Sequence, residues 1–229
     1  MPKNHLKVQH TPNTWPIKRK NATFITRPHP GAHKMELSLP LNIIFKKLLG
    51  KAKTNKEVTK LLHNHEILLN GKRKKDYKQA MGLLDILFIP KTGESYTMLI
   101  GTNKKLMMQE IDKKEASQKI CKIVGKKIVK KGVTQLKTYD GRTILVKKDE
   151  YKTGESVLLS IPKQEIKQLL KLETGACILL TGGKYVGKIA SVVEIKADIL
   201  RFKYDSKEFE TKKDYAIVIG KDKPLINIK

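Results

Sequence analysis

The sequence is poor in the residues on which several common protein classes depend. It has two cysteines, Cys121 and Cys177, too few and too far apart for a disulfide framework or a Cys-x-x-Cys zinc or redox motif. Aromatic residues make up 6% of its 229 residues, which argues against one large core built on rings. No apolar run approaches the ~18 residues that a membrane span needs, and no hydrophobic segment resembles a signal peptide. We therefore predict reduced thiols and no membrane partner.

Positive charge is what the sequence has in excess. It contains 48 Lys and Arg against 22 Asp and Glu, a formal net charge of +26. Charge of one sign opposes compaction, so such a chain usually acts on a polyanion. Lysine outnumbers arginine 43 to 5, and lysine suits phosphate better than bidentate recognition of bases. We therefore expect recognition of nucleic-acid backbone and shape rather than of base sequence.

The N-terminal segment is unusual in composition. Residues 1–35 contain seven Lys or Arg, five of the nine prolines and no acidic residue, without a helical or strand period. This composition indicates an extended basic arm, which we assign to residues 1–37. We expect the arm to be disordered in the free protein and to become ordered on a polyanion, where phosphate contacts offset its ordering entropy.

Residues 38–92 predict a small α+β domain. Apolar residues recur at helical spacing over 41–49, after Pro40 and before Gly50. The pattern Thr54-Asn-Lys-Glu57 is a capping box for a second helix. A short strand then leads through an Asn70-Gly71 turn into four consecutive basic residues, and another strand covers 85–89.

The remainder of the chain is predicted to be mostly β, with a central domain over 93–172 and a C-terminal domain over 173–229. Asp112–Glu115 is a candidate cap for one short helix, and 163–173 fits either a helix or a strand. Five strands within 176–219 suit a small barrel of the SH3 type. The candidate strands are 95–100, 104–110, 120–124, 127–130, 133–138, 143–147, 156–161, 176–181, 188–195, 198–204, 207–211 and 215–219.

The segment from Gly182 to Lys188 has the spacing of a P-loop, G-x-x-x-x-G-K. A P-loop continues with Ser or Thr and opens a helix, whereas here Ile189 follows and begins a stretch rich in β-branched residues. We therefore predict a glycine-rich turn between two strands.

Metal and catalytic sites have little support in the sequence. The pairs His29/His33 and His63/His65 have no evident third and fourth ligands of a suitable type. Carboxylates are scarce where the positive charge is highest, which argues against an acid–base pair. We predict no metal, no cofactor, no small-molecule substrate and no enzymatic activity.

Ten stretches of the sequence together resemble a known family. They are Pro2–Lys7, Trp15, Arg27–Lys34, Leu39–Leu41, Asn70–Asp76, Gly82–Asp85, Lys91–Tyr96, Thr174–Gly183, Gly187-Lys188 and Val218–Asn227. Through these stretches the chain is similar, over nearly its whole length and in the same order, to small-subunit ribosomal protein four of the archaeal and eukaryotic type. It departs from the family at Gln79-Ala80, where relatives commonly have Tyr-Pro, and at Ala190, where a glycine is common.

The resemblance implies a fold and a role. The fold is multi-domain α+β and mostly β, comprising the basic N-terminal arm, a small helix-helix-strand RNA-binding domain, the central β domain and a C-terminal SH3-like KOW barrel. The role is that of a structural constituent of the small ribosomal subunit in the cytoplasm. The implied partners are small-subunit ribosomal RNA and neighbouring ribosomal proteins.

The candidate site residues follow from the basic surface and the resemblance. Trp15, Phe24 and Tyr77 are candidates for stacking on RNA bases. The predicted turn residues are Asn70, Gly71, Gly82, Gly182, Gly183 and Gly187. The predicted RNA-binding residues are Lys3, His5, Lys7, Lys18, Arg19, Lys20, Arg27, His33, Lys34, Lys46, Lys47, Lys51, Lys72, Arg73, Lys74, Lys75, Lys184 and Lys188.

Two other roles fit the sequence less well. An RNA-modifying enzyme can carry a similar small RNA-binding domain, but it needs a large catalytic domain, and about 80 residues between the two RNA-binding segments are few for one. A KOW-containing transcription factor would bind RNA polymerase and would not be expected to begin with a long basic arm.

Overall fold

The computed structural model describes residues 4–20, 22–113, 115–129, 132–147 and 149–225. The chain folds into two compact units that divide between Ser117 and Gln118. Both are mostly β, as predicted, with few and short helices. Within the described ranges, no helix has the length and apolarity needed to cross a membrane.

The first unit contains two helices and three small sheets. Strands β1 and β2 pair with each other, β3 pairs with β6, and the remaining strands form an antiparallel sheet in the order β5-β4-β7-β8-β9. The elements are β1 (Leu6–Lys7), β2 (Phe24–Ile25), β3 (Ser38–Pro40), α1 (Leu41–Ile43, continued by a π-helical turn over Ile44–Leu48), α2 (Asn55–Asn64), β4 (Leu68–Leu69), β5 (Lys72–Arg73), β6 (Ala80–Gly82), β7 (Ile86–Ile89), β8 (Glu94–Ile100) and β9 (Leu106–Glu110).

The helix signals in the sequence are confirmed. Pro40 precedes α1, and Gly50 adopts a φ of 64° after the π-helical turn. At α2, the Thr54 hydroxyl accepts a hydrogen bond from the Glu57 N–H at 3.2 Å, and the Glu57 carboxylate accepts one from the Lys53 N–H at 2.7 Å. These reciprocal bonds satisfy amides that the first helical turn leaves unpaired.

The described part of the N-terminal segment packs on the first unit and differs from the disordered arm that we expected. Trp15 is 1% exposed, and its indole Nε1 donates to the Met35 carbonyl at 3.0 Å. The Leu106 N–H donates to the Thr14 carbonyl at 2.7 Å, and Val8 is also buried. Buried side chains and backbone hydrogen bonds together hold this segment on the first unit, and the expectation that Trp15 stacks on RNA is wrong.

The second unit contains two five-stranded antiparallel sheets. The central sheet has the order β12-β11-β10-β13-β14, and the C-terminal sheet has the order β18-β17-β16-β15-β19. The strands are β10 (Gln118–Ile128), β11 (Thr134–Thr138), β12 (Thr143–Val146), β13 (Ser156–Ser160), β14 (Ile166–Leu170), β15 (Cys177–Leu180), β16 (Ile189–Lys196), β17 (Ile199–Tyr204), β18 (Lys207–Lys212) and β19 (Ala216–Gly220).

Three expectations for the β region change. The strands predicted at 120–124 and 127–130 are one strand, β10, whose pairing with β11 shifts register between Ile123 and Gly125. The ambiguous stretch 163–173 contains strand β14. The helix expected from Asp112 is a single 3-10 turn over Glu115–Ser117.

The domain boundaries predicted at 37/38 and 92/93 both fall inside the first unit. The second of these lies between β7 and β8, which are hydrogen-bonded neighbours in one sheet. The alternation of hydrophobic residues predicts the strands themselves but not which sheet each strand joins. The four-part division stays a prediction.

Candidate nucleic-acid interface

The basic run Lys72–Lys75 begins in β5, directly after the two-residue turn that joins β4 to β5 in a tight hairpin. Asn70 and Gly71 have φ values of 50° and 74°, the left-handed conformation that a two-residue hairpin turn requires. Lys72, Arg73 and Lys75 are exposed. The Arg73 guanidinium donates to the His63 carbonyl at the end of α2, at 3.0 Å. The hairpin therefore presents its cations on a backbone that is fixed at the turn and at the helix.

A buried carboxylate holds the base of this hairpin. The Asn70 side-chain amide donates to Asp85 Oδ1 at 2.8 Å, and the Asn70 side-chain oxygen accepts from the Ile86 N–H at 3.0 Å. Asp85 Oδ2 accepts from the Gly82 N–H at 2.7 Å. Asp85 is 2% exposed, so these hydrogen bonds are shielded from water and are stronger than they would be at the surface.

His33 belongs to the same buried cluster, which corrects its expected place on the RNA-binding surface. Its Nε2 lies 3.2 Å from Asp85 Oδ2, and its side chain is 5% exposed. A Cβ at Gly82 would lie 2.1 Å from the imidazole ring, so glycine is required there to make room for His33. His33 attaches the N-terminal segment to Asp85 from the interior.

The other predicted RNA-binding residues of the first unit lie mostly at its surface. Lys46 donates to the Asn55 side-chain oxygen at 3.0 Å, Lys51 is ion-paired with Glu94, and Arg19 is hydrogen-bonded to Asn13. Lys3 lies outside the described residues. The exposed members are His5, Lys7, Lys18, Arg19, Lys20, Lys34, Lys47 and Lys51, and the half-buried ones are Arg27 and Lys46.

The remaining stacking candidates are more accessible than Trp15. Phe24 is 55% exposed, and its ring lies 5.7 Å from that of His5. Tyr77 is half-buried, with the Lys78 ammonium 5.9 Å from its ring centre.

The glycine-rich segment of the second unit is a turn between β15 and β16, as predicted, and no helix follows it. Gly183 and Gly187 have φ values of 83° and 79°. A Cβ at Gly182 would lie 2.5 Å from the Tyr215 ring, so the absence of a side chain lets that ring lie on the turn.

The two predicted RNA-binding lysines of this turn lie beside tyrosines. The Lys184 ammonium is 5.8 Å from the centre of the Tyr185 ring. The Lys188 ammonium is 4.4 Å from the centre of the Tyr204 ring and is hydrogen-bonded to its hydroxyl. Both contacts are within the range of cation–π attraction.

A second buried carboxylate, Asp140, organises the central sheet. Its Oδ2 lies 2.7 Å from Lys119 Nζ and 2.9 Å from Arg142 Nε, and its Oδ1 accepts from the Thr138 hydroxyl at 2.5 Å. Burial acts to raise the pKa of Asp140, but Lys119, Thr138 and Arg142 together outweigh it and lower that pKa. Burial raises the pKa of the adjacent Cys121 thiol to about 12, so this thiol stays protonated near neutral pH.

Lys122 is a buried cation with backbone partners. Its ammonium donates to the carbonyls of Lys213 at 3.1 Å and Asp214 at 2.7 Å, in the turn before β19. Burial lowers the pKa of Lys122 to about 8. The ammonium joins the central sheet to the C-terminal sheet within this unit.

The histidine pairs do not form metal sites in the described part of the chain, where no three His, Cys, Asp or Glu side chains converge on a metal-sized position. His29 lies 2.9 Å from the Asp76 carboxylate at the surface, whereas His33 lies in the interior.

Sequence reasoning missed the two buried carboxylate clusters and the aromatic surroundings of the glycine-rich turn. Asp85 stands in a stretch that carried the family resemblance, but nothing local indicates that His33 is its partner. The signal available for Asp140 was an acidic residue in a strongly basic segment, between Lys137 and Arg142.

These features define a class, that of strongly basic, β-rich proteins whose surface cations favour a polyanionic partner. Comparison with known proteins narrows it. The family described as ribosomal family S4e matches residues 92–166, and the RS4NT domain matches residues 1–36.

Full-length relatives agree with both matches. Small ribosomal subunit protein eS4 of Methanococcus maripaludis is 38% identical over 99% of this chain and 98% of its own, and that of Methanocaldococcus jannaschii is 36% identical over the same shares. The crystal structure of 30S ribosomal protein S4e from Thermoplasma acidophilum superposes with a TM-score of 0.71 at 28% identity, covering 80% of this chain and 95% of that one. The chain belongs to the S4e family of ribosomal proteins.

Proposed function

We propose that this chain is a structural constituent of the small ribosomal subunit and binds ribosomal RNA through its basic surface. The observation that carries the proposal is the Lys72–Lys75 hairpin, whose exposed cations stand on a backbone fixed by Asn70 and Asp85. Phosphates neutralised by such cations release counterions, which gives binding that depends strongly on salt. The relatives named above are small-subunit proteins, in agreement with this role.

The four segments have distinct parts in this proposal. Residues 38–92 act as the small RNA-binding domain, and the C-terminal sheet acts as an SH3-like KOW barrel whose turn approaches RNA with Lys184 and Lys188. Residues 1–37 place their exposed cations against RNA while Trp15 and His33 anchor them from inside. Neighbouring ribosomal proteins are the expected protein partners, and the protein works in the cytoplasm without catalysing a reaction.

The hairpin is tested by reversing its charge. In the triple variant Lys72→Glu, Arg73→Glu, Lys74→Glu, affinity for small-subunit ribosomal RNA should fall, and the slope of log K against log salt should become shallower by about two to three. Filter binding at several salt concentrations measures both quantities. An unchanged slope would show that these cations do not contact phosphate.

A matched control separates the site from overall charge. Lys163, Lys167 and Lys171 are exposed on and around the edge strand β14, outside the predicted site. Changing all three to Glu alters the net charge by the same amount, and the salt slope should remain close to that of the unmodified protein.

The subunit assignment is tested by sedimenting cell lysate through a density gradient at moderate and at high salt. Comigration with the small subunit at moderate salt is the expected result. Comigration with RNA polymerase would favour the transcription-factor role, and uridine isomerisation by the purified protein would favour the modifying enzyme. Family membership over almost the full chain weighs against both.

A further inference from the structure

A groove with an aromatic lining runs beside the glycine-rich turn of the C-terminal sheet. Its walls come from the turn itself and from strands β15, β17 and β18, so residues distant in the sequence converge there. Its lining includes Gly183, Lys184, Tyr185, Phe202, Phe209 and Glu210.

The aromatic lining is a cluster of three rings in mutual contact. Tyr185 and Phe209 lie with their ring centres 4.4 Å apart at an angle of 36°. Phe202 is fully buried and meets the Tyr185 ring edge-on at 5.7 Å. Because Tyr185 and Phe209 both line the groove and are only half-buried, part of their ring surface is open to a planar ligand.

Charge decides which planar ligand the groove suits. Lys184 lines it, and Lys188 follows at the end of the same turn, over the Tyr204 ring. Neither lysine has an ion-pair partner among the residues that the structure describes. The carboxylate of Glu210 also lines the groove, but it lies 2.7 Å from the guanidinium of Arg201 and is compensated there. The two lysines repel a cationic ligand and attract an anionic one.

We propose that this groove binds one unpaired RNA base, stacked on Tyr185 and Phe209, with the adjoining phosphates on Lys184 and Lys188. The proposal rests on the proposed function and specifies the RNA element that the C-terminal sheet recognises. Stacking accepts any base, because every base has a π-face. A continuous duplex hides those faces, so the groove selects a loop, bulge or single strand.

The test uses the complete chain and a single-stranded heptanucleotide with 2-aminopurine at its centre. Binding should quench the 2-aminopurine fluorescence through stacking, and the same strand in a duplex should show little additional quenching. Phe209→Leu and Tyr185→Leu should each weaken binding about tenfold and reduce the quenching at saturation. Thermal unfolding verifies that each variant is folded. If one of the two variants does not fold, the other still tests the proposal.

Three controls isolate stacking. Tyr185→Phe keeps the ring and should bind like the unmodified protein. Leu145→Ala removes an exposed apolar side chain from the central sheet, outside the predicted site, and should leave the quenching unchanged. Lys184→Gln should weaken binding but preserve the quenching at saturation. Equal quenching by unmodified protein and Phe209→Leu, or by single strand and duplex, would overturn the proposal.

The gradient experiment keeps this proposal separate from the proposed function. If the protein comigrates with the small subunit but does not quench the 2-aminopurine, the base-binding proposal is wrong and the ribosomal role stands. If quenching depends on the Tyr185 and Phe209 rings but the protein does not comigrate with the small subunit, the base-binding proposal stands and the ribosomal role is wrong.

Discussion

Each unit contains a buried carboxylate at a turn, and the two carboxylates are held by different chemistry. Asp85 in the first unit accepts from the Asn70 amide and the Gly82 backbone and lies beside the His33 imidazole. Asp140 in the second unit lies between two basic side chains, Lys119 and Arg142.

The difference separates positioning from stability. Directional donors from an amide and a backbone N–H fix where the surrounding chain lies, which suits a carboxylate beneath the basic hairpin. When two cations surround one buried anion, replacing the anion strongly destabilises the fold, because the buried positive charge is then left uncompensated. Asp85 therefore mainly orders a surface, whereas Asp140 mainly decides whether its sheet is stable.

The largest expected effect is that of Asp140→Ala, which should lower the free energy of unfolding of the second unit by about 3–5 kcal/mol. Circular dichroism in urea measures it. Trp15 is the single tryptophan and lies in the first unit, so its fluorescence does not report directly on the unit that carries the substitution. Asp149→Ala, which removes an exposed partner of Lys126, is the control and should change stability by about 1 kcal/mol or less.

Asp85→Ala should lower the free energy of unfolding of the first unit by about 2–4 kcal/mol, because its buried donors lose a charged acceptor. Here the Trp15 fluorescence transition should move and RNA affinity should fall with it. Asp76→Ala removes the exposed partner of His29 and serves as control. If Asp85→Ala left RNA affinity intact while destabilising the unit, Asp85 would not position the hairpin.

Gly82→Ala keeps the backbone N–H that donates to Asp85 and mainly tests the space left for His33. It should lower the free energy of unfolding by about 1–3 kcal/mol, since the new methyl overlaps the imidazole. Urea unfolding followed by Trp15 fluorescence measures this change. At Gly31 a Cβ would have ordinary contact only, at 3.9 Å from the His29 carbonyl oxygen, so Gly31→Ala should be neutral. Equal effects at both positions would mean that His33 is loosely held.

The smallest effect concerns Lys122, a buried cation whose hydrogen bonds go to backbone carbonyls rather than to a carboxylate. Its pKa is about 8 in the folded protein and 10.5 in the reference state, so between these values the unfolded chain binds more protons. Stability should therefore rise with pH from 8 to 10.5, by about 1–3 kcal/mol. Urea unfolding at several pH values measures the rise, and Lys122→Met should remove the part that belongs to this residue.

The features that the sequence predicted well are those determined by a few neighbouring residues. The Thr54 cap and the Asn70-Gly71 turn each involve groups within a few positions, and both have the expected geometry. The sequence predicts two strands, 120–124 and 127–130, whereas the structure has the single strand β10 with a shift of register between Ile123 and Gly125.

The features that could not be predicted depend on long-range contacts. His33 and Asp85 come together only when the first unit has folded, and Trp15 finds the Met35 carbonyl in the same way. Basic composition alone identified exposed lysines, but it did not distinguish His33 in the interior from residues at the surface. The aromatic groove joins a turn to strands β17 and β18, so no local pattern marks it.

The contact between Lys122 and the turn before β19 determines where the second unit can be divided into fragments. Strand β19 is buried throughout and lies against β10, β13 and β14 of the central sheet. A fragment that began at residue 173 would expose β19 to solvent, because it would lack the strands of the central sheet that pack against it. It would also lack the Lys122 ammonium, which donates to the carbonyls of Lys213 and Asp214. The C-terminal sheet is therefore poorly suited to transfer on its own into another protein. The segment to transfer is the whole second unit, which begins at Gln118.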